Sequence, residues 1–233
     1  MDGIGEVQFV RSLRAKYIRI SLKPSGEVCV TVPQKATIEQ AMAFVETKID
    51  WIKQTKSKMA VRENKKTIFT PDTVFSVRNR QLQLQPWKSE QFRAQLSKDT
   101  LIIFYPQNIE LRSDSAQAVI RDYIIRALRE EAKEYLPQRT KELAALHGFS
   151  FQRVAVKNVS SRWGSCSSKN NINLNIHLVR LPEHLSDYVI LHELVHTVHK
   201  NHKELFWQSL DKITGGKAKQ LAKEIKQFQS TEF

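Results

Sequence analysis

Hydrophobic and polar positions alternate along the first half of the chain and recur at helical spacing in the second. Ile18, Ile20 and Leu22, then Val28, Val30 and Val32, alternate with polar neighbours on either side of Lys23-Pro24-Ser25-Gly26. That pattern predicts a β-hairpin, ended by Pro33. Thr37 precedes Ile38, Ala41, Phe44, Val45, Ile49 and Ile52 on one helical face, and Gln40 stands where a capping box needs it. The expected helix runs over about 38–58, and Lys53, Lys56 and Lys58 suit its C-terminal end. The polar residues 60–67 read as a loop. Alternation returns over 73–105, with turns at Asn79-Arg80 and over 97–100. Two further hairpins of a small, mostly antiparallel sheet are expected there.

From Asp114 the texture changes. Residues 116–146 are rich in Ala, Leu, Glu, Arg and Lys, with apolar residues at helical spacing. They predict one long amphipathic helix, or two if Pro137 breaks it, with Gly148 at the C-cap. The fold class expected is α+β. Residues 1–112 form an N-terminal, mostly antiparallel β region with one helix. Residues 113–233 form a second domain of long helices and a short sheet.

The 233 residues suffice for a sizeable core, and 41% hydrophobic with 26% charged is ordinary for a globular chain. Net charge is +13. Residues 1–112 carry 19 basic and 11 acidic side chains, net +8; residues 113–233 carry 18 and 13, net +5. The excess is spread out, which reads as a solvated basic surface with at most weak contact to nucleic acid. Only two cysteines, Cys29 and Cys166, lie far apart. They exclude a disulfide scaffold and suit a reducing, cytoplasmic setting. No run of 18 apolar residues predicts a membrane span, and the first residues lack the apolar core of a secretory leader.

The candidate chemistry lies in Tyr188-Val189-Ile190-Leu191-His192-Glu193-Leu194-Val195-His196-Thr197-Val198-His199-Lys200-Asn201-His202. Within it is His-Glu-x-x-His. Residues four apart lie on one helical face, about 6 Å apart along the axis, so two imidazoles can converge on one Zn²⁺. Glu193 follows the first ligand, placed to take a proton from a water on the metal. The surrounding apolar run predicts a buried helix, whose inward histidines need a partner.

A third ligand is required. His199 shares the face, but 192, 196 and 199 form a row about 10 Å long on a straight helix. His202 is favoured if the helix ends near Lys200 and Asn201 takes a left-handed turn that folds the chain back. Glu204 and Glu224 are weaker candidates. The spacing matches the metzincin pattern in length, but His199 stands where that pattern has Gly. Met1, Met42 and Met59 all lie upstream, so no Met-turn follows.

Upstream, Asn171, Asn173, Asn175 and His177 alternate with Ile172, Leu174, Ile176 and Leu178. A strand with a polar face beside a metal helix can present its edge to an extended peptide, or can simply be solvated. Asn173, Asn175 and His177 are therefore candidate substrate contacts, with Arg162 and Tyr188. Tyr188 and His177 are candidates to steady an oxyanion, though the sequence places neither; Arg162 does so or holds a loop, the latter being expected. Cys166 reads as a packed free thiol.

Ser161-Arg162-Trp163-Gly164-Ser165-Cys166, Ile172-Asn173-Leu174-Asn175, Asp187-Tyr188-Val189, the His-Glu-x-x-His block, Asn201-His202 and Phe206-Trp207 stand in this order. Together they resemble the YgjP-like metallopeptidase domain family, which is similar in its core to SprT-like and WLM metallopeptidases and to minimal gluzincins. The resemblance implies a minimal zincin-like domain over 113–233, His192, His196 and His202 as zinc ligands, and Glu193 as general base. His177 stands where the family more often has Arg or another residue, and residues 60–112 match it loosely.

Three readings follow. The first is a zinc-dependent hydrolase, a metallopeptidase with a peptide or protein substrate. The second, also suggested by the resemblance, is a metal-dependent nucleoside triphosphate pyrophosphatase, although no Gly-rich phosphate loop is present. The third is a nucleic-acid-associated binding module, which Lys217, Lys219, Lys223 and Lys226 allow without requiring.

Overall fold

The computed structural model describes residues 3–228 except Pro24 and 64–66, and it divides into two compact units, Met1–Lys66 and Thr67–Phe233. In the first, β1 (Val7–Ser12), β2 (Arg19–Leu22) and β3 (Val28–Pro33) form a sheet in the order β1-β3-β2. β2 and β3 pair antiparallel as the alternation predicts, Ile20 opposite Val30. Of the expected turn, Pro24 lies outside the described residues. β1 is an addition, parallel to β3 from Val7↔Val28 onward. The helical stretch is two helices, α1 (Ile38–Glu46) and α2 (Ile49–Glu63), rather than one. The Thr37–Gln40 capping box starts the first. The loop expected over 60–67 is still helix at Glu63, and 64–66 lie outside the described residues. Val28, Val30, Val32, Ala41, Val45 and Ile52 close a small core with Ile4.

The second unit begins with β4 (Ser76–Val77), β5 (Arg80–Trp87), β6 (Arg93–Leu96) and β7 (Thr100–Pro106), in the order β4-β5-β7-β6. Both predicted hairpins form, while β5 and β7 pair parallel, Leu82 opposite Leu101. Their Leu82, Leu84, Leu101 and Ile103 share one core with Ile120, Ile124 and Leu128 of α3 (Asp114–His147). The division therefore falls at 66/67, not at 112/113. The compositional shift at 112 marks a change from strands to helix over a common core. Gln117 is buried and ties the start of the unit to that helix: it accepts from Phe69 N and donates to the carbonyls of Phe69 and Leu111.

α3 is continuous through Pro137 and ends at Gly148, which is left-handed at φ 72. Proline in a helix interior costs about 3 kcal/mol. Burial of Leu136, Leu143 and Ala144 on either side of it offsets that cost. A second small sheet follows, β8 (Arg153–Lys157), β9 (Gly164–Cys166) and β10 (Asn171–Asn175), in the order β8-β10-β9. Then come α4 (Glu183–Val195), α5 (Glu204–Ile213) and α6 (Ala218–Glu224). Arg139 on α3 donates to both carboxylate oxygens of Asp187 on α4, at 2.8 and 2.5 Å, and fixes the two helices in register. No helix among the described residues is long and apolar enough to cross a membrane.

Candidate metal centre

α4 is buried on most of its sides, with Leu185, Val189, Ile190, Leu194 and Val195 enclosed in the unit's core. It carries His192 and Glu193, and His196 caps its C-terminus in helical geometry. The helix ends there, not near Lys200. Thr197 N and Oγ1 donate to the Leu194 carbonyl, and Val198 and His199 N to that of Val195. The last carbonyls are thus met within a tight turn. Asn201 is not left-handed; among the described residues only Arg78 and Asn170 are non-glycines at positive φ. The reversal is instead fixed by Asn201 Oδ1 accepting from Lys203 N at 3.2 Å, an Asx turn that leads into α5.

This path brings His202 back over the helix. His202 Nε2 lies 3.1 Å from Nε2 of both His192 and His196. Among the described residues these three form the only His, Cys, Asp and Glu group whose ligand atoms lie close enough to share an ion. Tetrahedral ligands about 2.05 Å from a Zn²⁺ stand about 3.3 Å apart, so the spacing fits. The proton inventory agrees. His196 Nδ1 lies 2.8 Å from the His199 carbonyl and donates to it, so its Nε2 holds a lone pair when the ring is neutral. One Nε2 proton on His202 can meet only one of its two neighbours, so lone pairs face one another, an arrangement a cation resolves.

Phe206 forms the floor. Fully buried on α5, its ring centroid lies 4.8, 4.5 and 4.7 Å from those of His192, His196 and His202. His202 itself is exposed, so the centre opens on that side. Burial, reinforced by the neighbouring imidazoles, pushes His192 down to about 3. Burial also lowers His196, against the pull of the His199 carbonyl. Both rings are therefore neutral at pH 7, the form that binds metal. Glu193 is only 5% exposed, and burial pushes its carboxyl up to about 8 against the opposing charge of Arg162.

The other expected residues are placed differently. His199 stays outside the group, its Nε2 3.0 Å from Ser209 Oγ; it serves through its carbonyl. Glu204 accepts from Gln208, and Glu224 pairs with His184. Asn175 is enclosed, its amide donating to the carbonyls of Val159 and Arg162 while Oδ1 accepts from His177 N. It is a clamp on the 159–163 loop rather than a surface contact. Asn173 Nδ2 donates to Ser165 Oγ across the sheet. β10 is flanked on both sides, by β8 and β9, so it has no edge to present. The free edge beside α4 belongs to β9. Arg162 is exposed, with its charge near Glu193. Tyr188 is buried one turn before His192, ring centroids 6.2 Å apart. Cys166 is a half-buried free thiol, raised by burial.

His177 is buried, with Arg180 NH1 3.1 Å from its Nδ1. Burial, then the Arg180 charge, hold it down to about 4. The unfolded chain binds this proton near pH 6.5 and the folded chain only near 4. Stability is thus full above about 6.5 and falls as pH drops toward 4, by about 3 kcal/mol when complete. Urea midpoints of the wild type should fall more steeply between pH 7 and 4.5 than those of His177→Gln. Parallel slopes would contradict this.

Sequence reasoning missed Phe206 as the floor and Gly164 as the neighbour of Glu193. A signal for the first existed, since Phe206 lies four residues past His202 and shares a helical face with Leu210 and Ile213. A family model described as YgjP-like, metallopeptidase domain, matches residues 16–228. No curated protein matches the chain. Among solved structures, the metallopeptidase zymogen abylysin of Pyrococcus abyssi is 20% identical, over 41% of this chain and 97% of its own, at a TM-score of 0.36. The metallopeptidase zymogen jannalysin of Methanocaldococcus jannaschii is 24% identical, over 39% and 92%, at 0.35.

Proposed function

The chain belongs to the YgjP-like metallopeptidase domain family, and from that premise we propose a zinc-dependent peptidase centred on His192, His196 and His202. The observation that carries this reading is the meeting of three Nε2 atoms over an aromatic floor, on a side open to solvent. The three imidazoles would hold the metal, leaving a fourth position free. Zn²⁺ bound there supplies Lewis-acid polarisation of a carbonyl and lowers the pKa of a water toward about 7.

The chain's own residues do the rest. Glu193 accepts the proton of the attacking water and returns it to the leaving amine. Its burial favours the protonated form between the two transfers, while the Arg162 charge, joined by that of a bound cation, would favour the carboxylate that accepts the first proton. The His199 carbonyl, held where His199 Nε2 meets Ser209 Oγ, fixes the orientation of His196. An extended peptide has the free edge of β9 on which to add a strand.

The test is incubation with a denatured protein, with new amino termini read by mass spectrometry. Cleavage that stops with chelator and returns with zinc is expected. Pyrophosphate release from a nucleoside triphosphate without any peptide cleavage would contradict the reading.

A further inference from the structure

We propose that Gly164 is a positioning residue for Glu193: the absence of a side chain at the start of the active-site edge strand leaves the slot in which the Glu193 side chain is seated. The proposal rests on the reading of Glu193 given above. A Cβ built on Gly164 would lie 2.7 Å from Glu193 Cγ, 2.7 Å from Oε1 and 2.9 Å from Cδ. Non-bonded carbons rest at about 3.5–4.0 Å. Even alanine at this position therefore overlaps the Glu193 side chain along most of its length.

Nothing in the backbone asks for glycine here. Gly164 lies in β9, opposite Leu174 of β10, and is not among the glycines at positive φ. Glycine in a strand costs roughly 0.5–1 kcal/mol relative to alanine. Only the neighbour across the gap explains it. Gly3 differs: its φ is +82, and the atoms that a Cβ would meet belong to the flexible end of Lys53.

Neither side of the gap can give way. Behind Glu193, α4 is packed, and Leu194 and Val195 are fully buried. β9 is held to β10 through Gly164↔Leu174, Ser165↔Asn173 and Cys166↔Ile172. Just before it, the Trp163 carbonyl accepts from Asn175 N at 2.8 Å, and the Asn175 side chain holds Val159 and Arg162. With both backbones fixed, a methyl group at 164 must be accommodated by turning the Glu193 side chain out of its slot. The three nearest atoms that a Cβ would meet all belong to Glu193, so metal binding should survive the change. A carboxylate misplaced by about 1 Å costs on the order of 100-fold in rate.

The experiment is a double-mutant cycle with wild type, Gly164→Ala, Glu193→Ala and the double variant. Urea midpoint and zinc content are read on all four, and kcat and KM for a peptide on the first two. Gly164→Ala should keep its zinc and lose about 100-fold or more in kcat, with KM within a few-fold. Its midpoint should fall in the wild-type background, and stay level or rise in the Glu193→Ala background, where the obstructing atoms are gone. An equal fall in both backgrounds overturns the proposal, since the methyl group then strikes something else. So does a Gly164→Ala enzyme with kcat within threefold of wild type. A coupled midpoint together with a fully active Glu193→Gln enzyme overturns the catalytic role of Glu193 itself, so the two failures are distinguishable.

Discussion

Glu193→Gln is expected to abolish peptide hydrolysis while the protein keeps its zinc. Glutamine fills the same buried slot against Gly164 without a change of volume, so α4 and the three imidazoles stay in place. What it lacks is a site for the proton. Loss of a positioned general base costs about 10²–10⁴-fold. The loss should fall on kcat and on kcat/KM equally, with KM little changed, because the proton is transferred only in the transition state. Steady-state kinetics on a cleaved peptide, with zinc measured on the same sample, checks both halves. An enzyme within tenfold of wild type would remove Glu193 from the mechanism.

Phe206→Ala is expected to give the largest loss of stability. The ring is fully buried and touches all three imidazoles, so truncation opens a cavity under the centre. Phe→Ala in a core costs about 3–5 kcal/mol. Here the cavity also frees His202, which reaches the centre from a short reversal and has no helix of its own to hold it. Zinc affinity should therefore fall along with the urea midpoint. Phe206→Leu, which keeps most of the volume, should recover most of both. A Phe206→Ala protein with unchanged midpoint and unchanged zinc affinity would show that the floor is not structural.

How much was legible in the sequence differs from element to element. Strand pairs joined by short turns were legible, because alternation and turn residues are both local: β2–β3, β4–β5 and β6–β7 all form. The parallel partners, β1 on β3 and β5 on β7, were not, since a parallel pairing leaves no mark at the turn that joins neighbouring strands. The boundary expected at 112 followed composition, while the packing of Leu101 and Ile103 against α3 is set by tertiary contact. Pro137 left one helix or two open, and burial on both sides of it yields one. At the centre, the facing of His192 and His196 follows from helical period alone. From residue types, the return of His202 is expected through a left-handed Asn201. It is produced by an earlier helix end and an Asx turn, a choice between two local solutions that residue type does not decide. The polar face of Asn173, Asn175 and His177 suggested contact with substrate. In the fold the Asn173 and Asn175 side chains hold the strand that carries Gly164 and the loop that carries Arg162, while the His177 ring lies beside Arg180.

The central claim is a zinc centre made by three imidazoles, and zinc content by elemental mass spectrometry tests it most directly. Wild type and His199→Ala should each hold about one zinc per chain, since only the carbonyl of His199 serves the centre. His202→Ala should hold far less, because two imidazoles do not make the three-ligand site that a catalytic zinc needs. Wild-type protein that takes up no zinc, or a His202→Ala variant that holds it as tightly as wild type, would contradict the account.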